Sequence, residues 1–118
     1  MPKPTVTGFT PTTILNNGQT GLKNGNGKQS QATLAGWDMA AGMTVKVWGT
    51  NRGNNSKPNW SGPLTVSSNQ FVANLTCSND RTVDDDHPME TEYVTVTVTA
   101  GNETSDPYND PDSVNEGP

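Results

Sequence analysis

The run from Tyr93 to Ala100 reads Tyr-Val-Thr-Val-Thr-Val-Thr-Ala and constrains the fold more than any other stretch of the chain. Val94, Val96 and Val98 share one parity; Tyr93, Thr95, Thr97 and Thr99 share the other. A period of two puts those sets on opposite faces of a strand. Valine and threonine are both β-branched, which suits a pleated surface and disfavours a helix. The expectation is a strand with one dry face. Three valines stabilise a fold by only about 1.5–3 kcal/mol each, so the strand needs partners with the same pattern. Met43 to Trp48 supplies one, with Met43, Val45 and Val47 inward and Thr44, Lys46 and Trp48 outward. Phe71 to Cys77 supplies another, in which Cys77 falls in phase with Phe71, Ala73 and Leu75 and reads as a small buried hydrophobe.

The core these strands can build is thin. Hydrophobic residues make up 29% of the 118-residue chain. That fraction is low enough to accompany disorder, but the net charge of -5 is too modest to complete that signature. The apolar residues are grouped in alternating runs, as a β core requires. The length suits one domain. We expect it to span residues 1–107, with 108–118 an acidic, proline-containing tail that acts as linker or arm.

Charge is distributed unevenly. Residues 1–60 carry six of the seven Lys and Arg against Asp38 alone, and residues 61–118 carry Arg81 against eleven acids. If the halves occupied different surfaces, copies would meet head to tail; the alternative is one mixed surface. An acidic chain without a basic stripe argues against nucleic acid as a partner. One cysteine excludes an internal disulfide, and a single histidine, His87, excludes a thiolate–imidazole zinc site. The N-terminus lacks the apolar region of an export signal, and no run has the length of a membrane span. We therefore expect no membrane insertion and no signal peptide within this chain, and read it either as a whole gene product or as a module of a longer secreted protein.

Along the chain, Pro4 to Pro11 has the chemistry of an edge strand, with Gly8 allowing a bulge between Val6 and Phe9. Residues 16–30 are polar around a lone Leu22 and read as a long loop or ribbon. Gln31 to Trp37 is a strand with Ala32 and Leu34 on one face, bent at Gly36. Residues 49–63 read as a loop, Leu64 to Val66 as a short strand, and Ser67 to Asn69 as a turn. Several short strands between Gly, Asn and Pro clusters, with no helical periodicity, predict an all-β sandwich.

Four segments resemble the IPT/TIG family of immunoglobulin-like domains. Ala32-Thr-Leu-Ala-Gly-Trp-Asp-Met-Ala-Ala-Gly-Met-Thr-Val-Lys-Val-Trp-Gly49 is similar to that family's glycine-led Thr-Val-x-Val segment. Pro4-Thr-Val-Thr-Gly-Phe-Thr-Pro11 is similar to its opening Pro-x-Ile-x-x-Val-x-Pro. Tyr93 to Pro107 is similar to its closing Val-Thr-Val-Thr followed by Gly and Ser-x-Pro, and Val66 to Leu75 resembles its middle strand pair. The likeness runs over residues 4–107 in order; it departs from the family in the longer, more polar stretch 16–30 and the expanded loop 49–63. It implies an immunoglobulin-like β-sandwich, two packed antiparallel sheets of about seven strands. It also implies a spacer, adhesion or binding module and no catalyst. Some relatives bind DNA, which the charge argues against here.

Function is expected on the loops. Trp48, Arg52, Lys57, Asn59 and Trp60 form the candidate partner- or ligand-binding set. An indole exposed in a Thr-Asn-Gly surface is what a sugar ring or a protein neighbour stacks on. The alternative is that Trp48 is covered by residues 16–30 and Trp60 folds over the core edge; Trp37 would cap the end of the sandwich. Asp84, Asp85 and Asp86 are a weak candidate for a hard cation such as calcium, but fit no EF-hand spacing. No cofactor is expected. No nucleophile-elbow pattern is present, and His87 has no evident nucleophile beside it, so an enzyme is not expected. Two functions remain. One is a small virion structural subunit, decorating a phage capsid or tail and binding a larger protein assembly. The other is an extracellular or cell-surface module that binds carbohydrate or spaces other domains.

Overall fold

The structure, a computed structural model, describes residues 2–49, 57–78 and 90–118. All regular structure among them is β, in two sheets. The larger sheet contains β1 (Thr5–Pro11), β4 (Gln29–Trp37), β7 (Gln70–Cys77), β6 (Trp60–Ser67), β5 (Thr44–Trp48), β9 (Thr95–Ala100) and β10 (Glu103–Thr104) in that spatial order, with β11 (Tyr108–Asn109) also pairing with β9. The smaller sheet runs β2 (Thr13–Ile14), β3 (Thr20–Lys23), β12 (Val114–Gly117), β8 (Glu90–Glu92). β1 reaches β9 and β11 although they lie toward the other end of the order, because the larger sheet curls into a half-barrel. The arrangement is sandwich-like, with the core inside the curl.

The valine–threonine strand finds the expected mate. β9 pairs antiparallel with β5, placing Val98 opposite Val45 and Val96 opposite Val47, and all four are fully buried. Its other face is not wet as the alternation implied: Thr95 and Thr97 are buried too. Their cross-strand neighbours are the long side chains of Trp48 and Lys46, and the Thr95 hydroxyl hydrogen-bonds Asn109 Oδ1 at 2.8 Å. The Thr95 hydroxyl thus finds a partner while its methyl packs, whereas the Thr97 hydroxyl is buried without one among the described residues.

The edge strand also forms as expected. The register of β1 on β4 shifts between Val6 and Gly8, so the bulge turns both Val6 and Phe9 into the core. Opposite it, Gly36 has φ 148°, and a Cβ there would lie 2.0 Å from the Thr5 carbonyl oxygen, so only glycine permits the approach of β1. Ser68 and Asn69, at φ 51° and 63°, make the two-residue turn between β6 and β7. Positive φ at both positions matches the right-handed twist of the hairpin.

Of the two readings of residues 16–30, loop or ribbon, the ribbon holds in part: β3 pairs with β2 in a hairpin, and Leu22 is fully buried. Three expectations are corrected. Trp60 does not belong to a loop, because β6 begins there. The sheets are not purely antiparallel, since β12 pairs parallel to β3 through Glu116 opposite Leu22 and Gly117 opposite Lys23. Residues 108–118 do not trail from the fold as a tail. β11 lies on β9 and β12 is an interior strand of the smaller sheet, with Val114 and Glu116 buried. Nor do the oppositely charged halves form separate bodies. Both sheets mix strands from each, and Lys3 Nζ meets Asp106 at 2.8 Å.

A candidate interaction face

In the larger sheet β1, β4, β7 and β6 are neighbours, and none of these strands contains an Asp, Glu, Lys, Arg or His. At the chain's average of 16% charged residues, strands of 7, 9, 8 and 8 residues would carry several. Solvated sheet faces and edges ordinarily carry charge, lysine above all, which keeps them soluble and unpaired. Depletion of charge is instead the compositional mark of the centre of an interface.

Alternation decides what this face shows. On β4, Ser30, Ala32 and Leu34 are buried, so Gln29, Gln31, Thr33, Ala35 and Trp37 point outward. On β7, Ala73, Leu75 and Cys77 are buried, leaving Gln70, Val72, Asn74 and Thr76 outside. The face has two ends of different character. At the far end of β4, Trp37 is 58% exposed, with Ala35 outside beside it on the same strand and Val72 half-buried on β7. Val66, near the tip of the β6–β7 hairpin, is exposed as well, although its parity is that of the core. At the opposite end lies an open groove of about 550 Å³ lined by amides and hydroxyls, among them Gln29, Gln31, Asn74 and Thr76. There Gln31 Nε2 donates to Asn74 Oδ1 at 2.8 Å, Asn74 Nδ2 donates to Thr65 Oγ1 at 3.2 Å, and Thr65 Oγ1 donates to the Val72 carbonyl at 3.1 Å.

The loop residues expected to bind a partner are not brought together as a surface. Trp60 is fully buried, its Nε1 donating to the Lys23 carbonyl at 2.8 Å and tying β6 to β3. Asn59 is buried as well: its backbone N–H donates to Val47 O at 2.9 Å and its Oδ1 accepts from the Gly49 N–H at 2.9 Å. Both residues brace the structure. Trp48 is half-buried, with its indole N–H buried and without a hydrogen-bond partner among the described residues. Lys57 is exposed. Arg52, Asp84, Asp85, Asp86 and His87 lie outside the described residues. Trp37 does not cap the core, because its ring faces solvent. Cys77 is buried at 1% exposure, in phase with Ala73 and Leu75 as expected.

Beyond this face, one corner has perturbed acidity. Burial pushes the Asp110 carboxyl above its ordinary value of 3.8; the Asp112 backbone N–H donated to it opposes the shift, and the Asp112 charge adds to it. Burial likewise raises the Tyr108 phenol, helped by the charges of Asp110 and Asp112. Among the described residues no group of three or more His, Cys, Asp or Glu is placed to hold a metal ion.

Comparison of the chain with protein-family models, curated proteins and solved structures finds no match. The uncharged face was present in the sequence as three stretches without a charged residue: between Lys3 and Lys23, between Lys28 and Asp38, and between Lys57 and Asp80. Only the strand order places them side by side.

Proposed function

We propose that this protein is an immunoglobulin-like module of the IPT/TIG type that acts by binding, not by catalysis, and that it docks as a small structural subunit on a larger protein assembly such as a phage capsid or tail. The observation that carries this proposal is the charge-free outer face of β1, β4, β7 and β6, ending in the exposed Trp37. Such a face costs solubility when it is left open and is compatible with a covered position in an assembly. Trp37 is the natural anchor: it offers a large rigid area at small entropic cost, with the uncharged Ala35 two positions away on the same outer face.

The test is co-sedimentation of the purified protein with the particles of the virus that encodes it, beside its own oligomeric state at high concentration. Ala35→Lys and Trp37→Ala should abolish particle binding without unfolding the protein, because both side chains are exposed. A protein that stays monomeric, binds no particle and has no virion genes beside its own overturns the proposal. The cell-surface carbohydrate-binding alternative loses Trp60, the residue on which it leaned most, to the interior.

A further inference from the structure

We propose that the groove over β4 and β7 is a binding site for a short neutral oligosaccharide, separate from the docking end at Trp37. Its floor is formed by two cross-strand pairs, Gln29 opposite Thr76 and Gln31 opposite Asn74, with Thr13 of β2 and Pro63 of β6 also lining it. Its volume of about 550 Å³ falls within the roughly 300–1,000 Å³ of small-molecule sites.

The lining selects the ligand by exclusion at both extremes of polarity. No lining residue is ionisable, so a phosphate, carboxylate or ammonium would lose water without gaining a counter-charge. An apolar ligand would cover a lining that includes three side-chain amides and three hydroxyls and would offer them no hydrogen bonds. A sugar matches both conditions: it is uncharged, and each of its hydroxyls donates and accepts, as the amides do in their two halves. The Pro63 ring is exposed and presents a small apolar surface to the C–H face of a pyranose.

Hydrogen bonds hold the groove's amides in place before any ligand arrives. The run from Gln31 through Asn74 and Thr65 to the Val72 carbonyl crosses three strands and fixes these side chains. On the β2 side, Thr13 Oγ1 accepts the Gln31 backbone N–H. By inventory this leaves the Gln31 side-chain Oε1 and one hydrogen on each of Gln31 Nε2 and Asn74 Nδ2 to meet a ligand. Pre-organisation of this kind lowers the entropy lost on binding. Trp37 lies six positions along β4 from Gln31, about 20 Å of strand, so a groove ligand and a docked partner need not compete.

The test is a two-dimensional NMR titration of the whole chain with short neutral hexose and N-acetylhexosamine oligosaccharides, beside uronic-acid oligosaccharides of the same length. The proposal expects saturable shifts confined to Gln29, Gln31, Asn74, Thr76 and their neighbours with at least one neutral series and none with the acidic one. Gln31→Ala should weaken binding about tenfold, the effect of losing one or two hydrogen bonds. Gln29→Ala, whose side chain is outside the network, should weaken it without disturbing the fold, and Trp37→Ala should leave it unchanged. Absence of saturable shifts at millimolar sugar, shifts with the acidic series alone, or shifts centred on Trp37 each overturn it. Particle binding is read separately with Ala35→Lys, so the docking proposal can fail while the groove stands, and the reverse.

Discussion

Replacing Trp60 measures directly whether the two sheets are bolted together by one side chain. The indole is fully buried in β6, and its N–H reaches the Lys23 carbonyl of β3. A buried tryptophan removes about 150–250 Å² from water, worth about 4–6 kcal/mol at ~25 cal/mol/Å². That is an upper estimate, because the unfolded chain already covers part of the ring. Trp60→Ala should therefore cost about 3–5 kcal/mol, the usual range for Trp to Ala in a core. Trp60→Phe keeps most of the ring but leaves the Lys23 carbonyl without its donor. That residue is half-buried, so the cost should sit near the lower end of the ~1–3 kcal/mol for an unsatisfied group. Against a total stability of about 5–15 kcal/mol, the alanine variant should be near the threshold of folding. Urea unfolding followed by far-ultraviolet circular dichroism reads both values without relying on the fluorophore being removed. A loss below ~1 kcal/mol for Trp60→Ala, at an unchanged denaturant slope, would refute the packing argument, since exposed sites typically stay within about 0.5 kcal/mol.

Other outcomes follow from the same structure. Asp110→Asn should stabilise the protein at neutral pH. The folded-state pKa is raised above 3.8, so the wild type is penalised as pH rises from 3.8 through that higher value, and the asparagine is not. Below 3.8 the two proteins should melt together, and a difference that persists there would sink the assignment; Asn Oδ1 can keep the bond from the Asp112 N–H. Removing residues 108–118 should cost several kcal/mol or prevent folding, because Val114 alone contributes about 1.5–3 kcal/mol of burial and β12 is interior to its sheet. A well-dispersed NMR spectrum with an unchanged melting temperature would return that segment to the status of a tail. Trp37→Phe should change stability by no more than about 0.5 kcal/mol while removing the most quenchable component of the fluorescence in acrylamide.

Strand alternation and edge chemistry were legible in the sequence. Val45 and Val47 carry the same parity signal as Val96 and Val98, and the structure pairs them; Val6, Gly8 and Phe9 announce their bulge. Trp60 was hidden by its company of Asn, Ser, Gly and Pro, because its hydrogen-bond partner is 37 residues away and composition sees only neighbours. β12 was hidden for a stronger reason. Val-Asn-Glu-Gly offers one apolar residue, and burying Glu116 runs against every hydropathy rule, so only pairing with β3 and β8 explains it. The candidate face was legible as missing charge but not as a face, because its strands come from three separated parts of the chain. The groove's amides gave no signal alone, since Gln and Asn on a strand ordinarily face water.

The parallel pairing of β12 with β3 also sets an order of events. Asn115 donates to the Thr20 carbonyl across 95 positions of chain, whereas β6 and β7 meet through a two-residue turn. Closing the longer loop costs about 3 kcal/mol more in chain entropy than closing the hairpin. The hairpin therefore forms early, and the smaller sheet assembles only when the half-barrel already holds β3 in place. The same asymmetry runs backward in the native state. Amide protons of Leu22 and Glu116 should exchange with solvent through a partial opening, well before those of Leu64 and Ala73, whose release requires the whole curl to come apart.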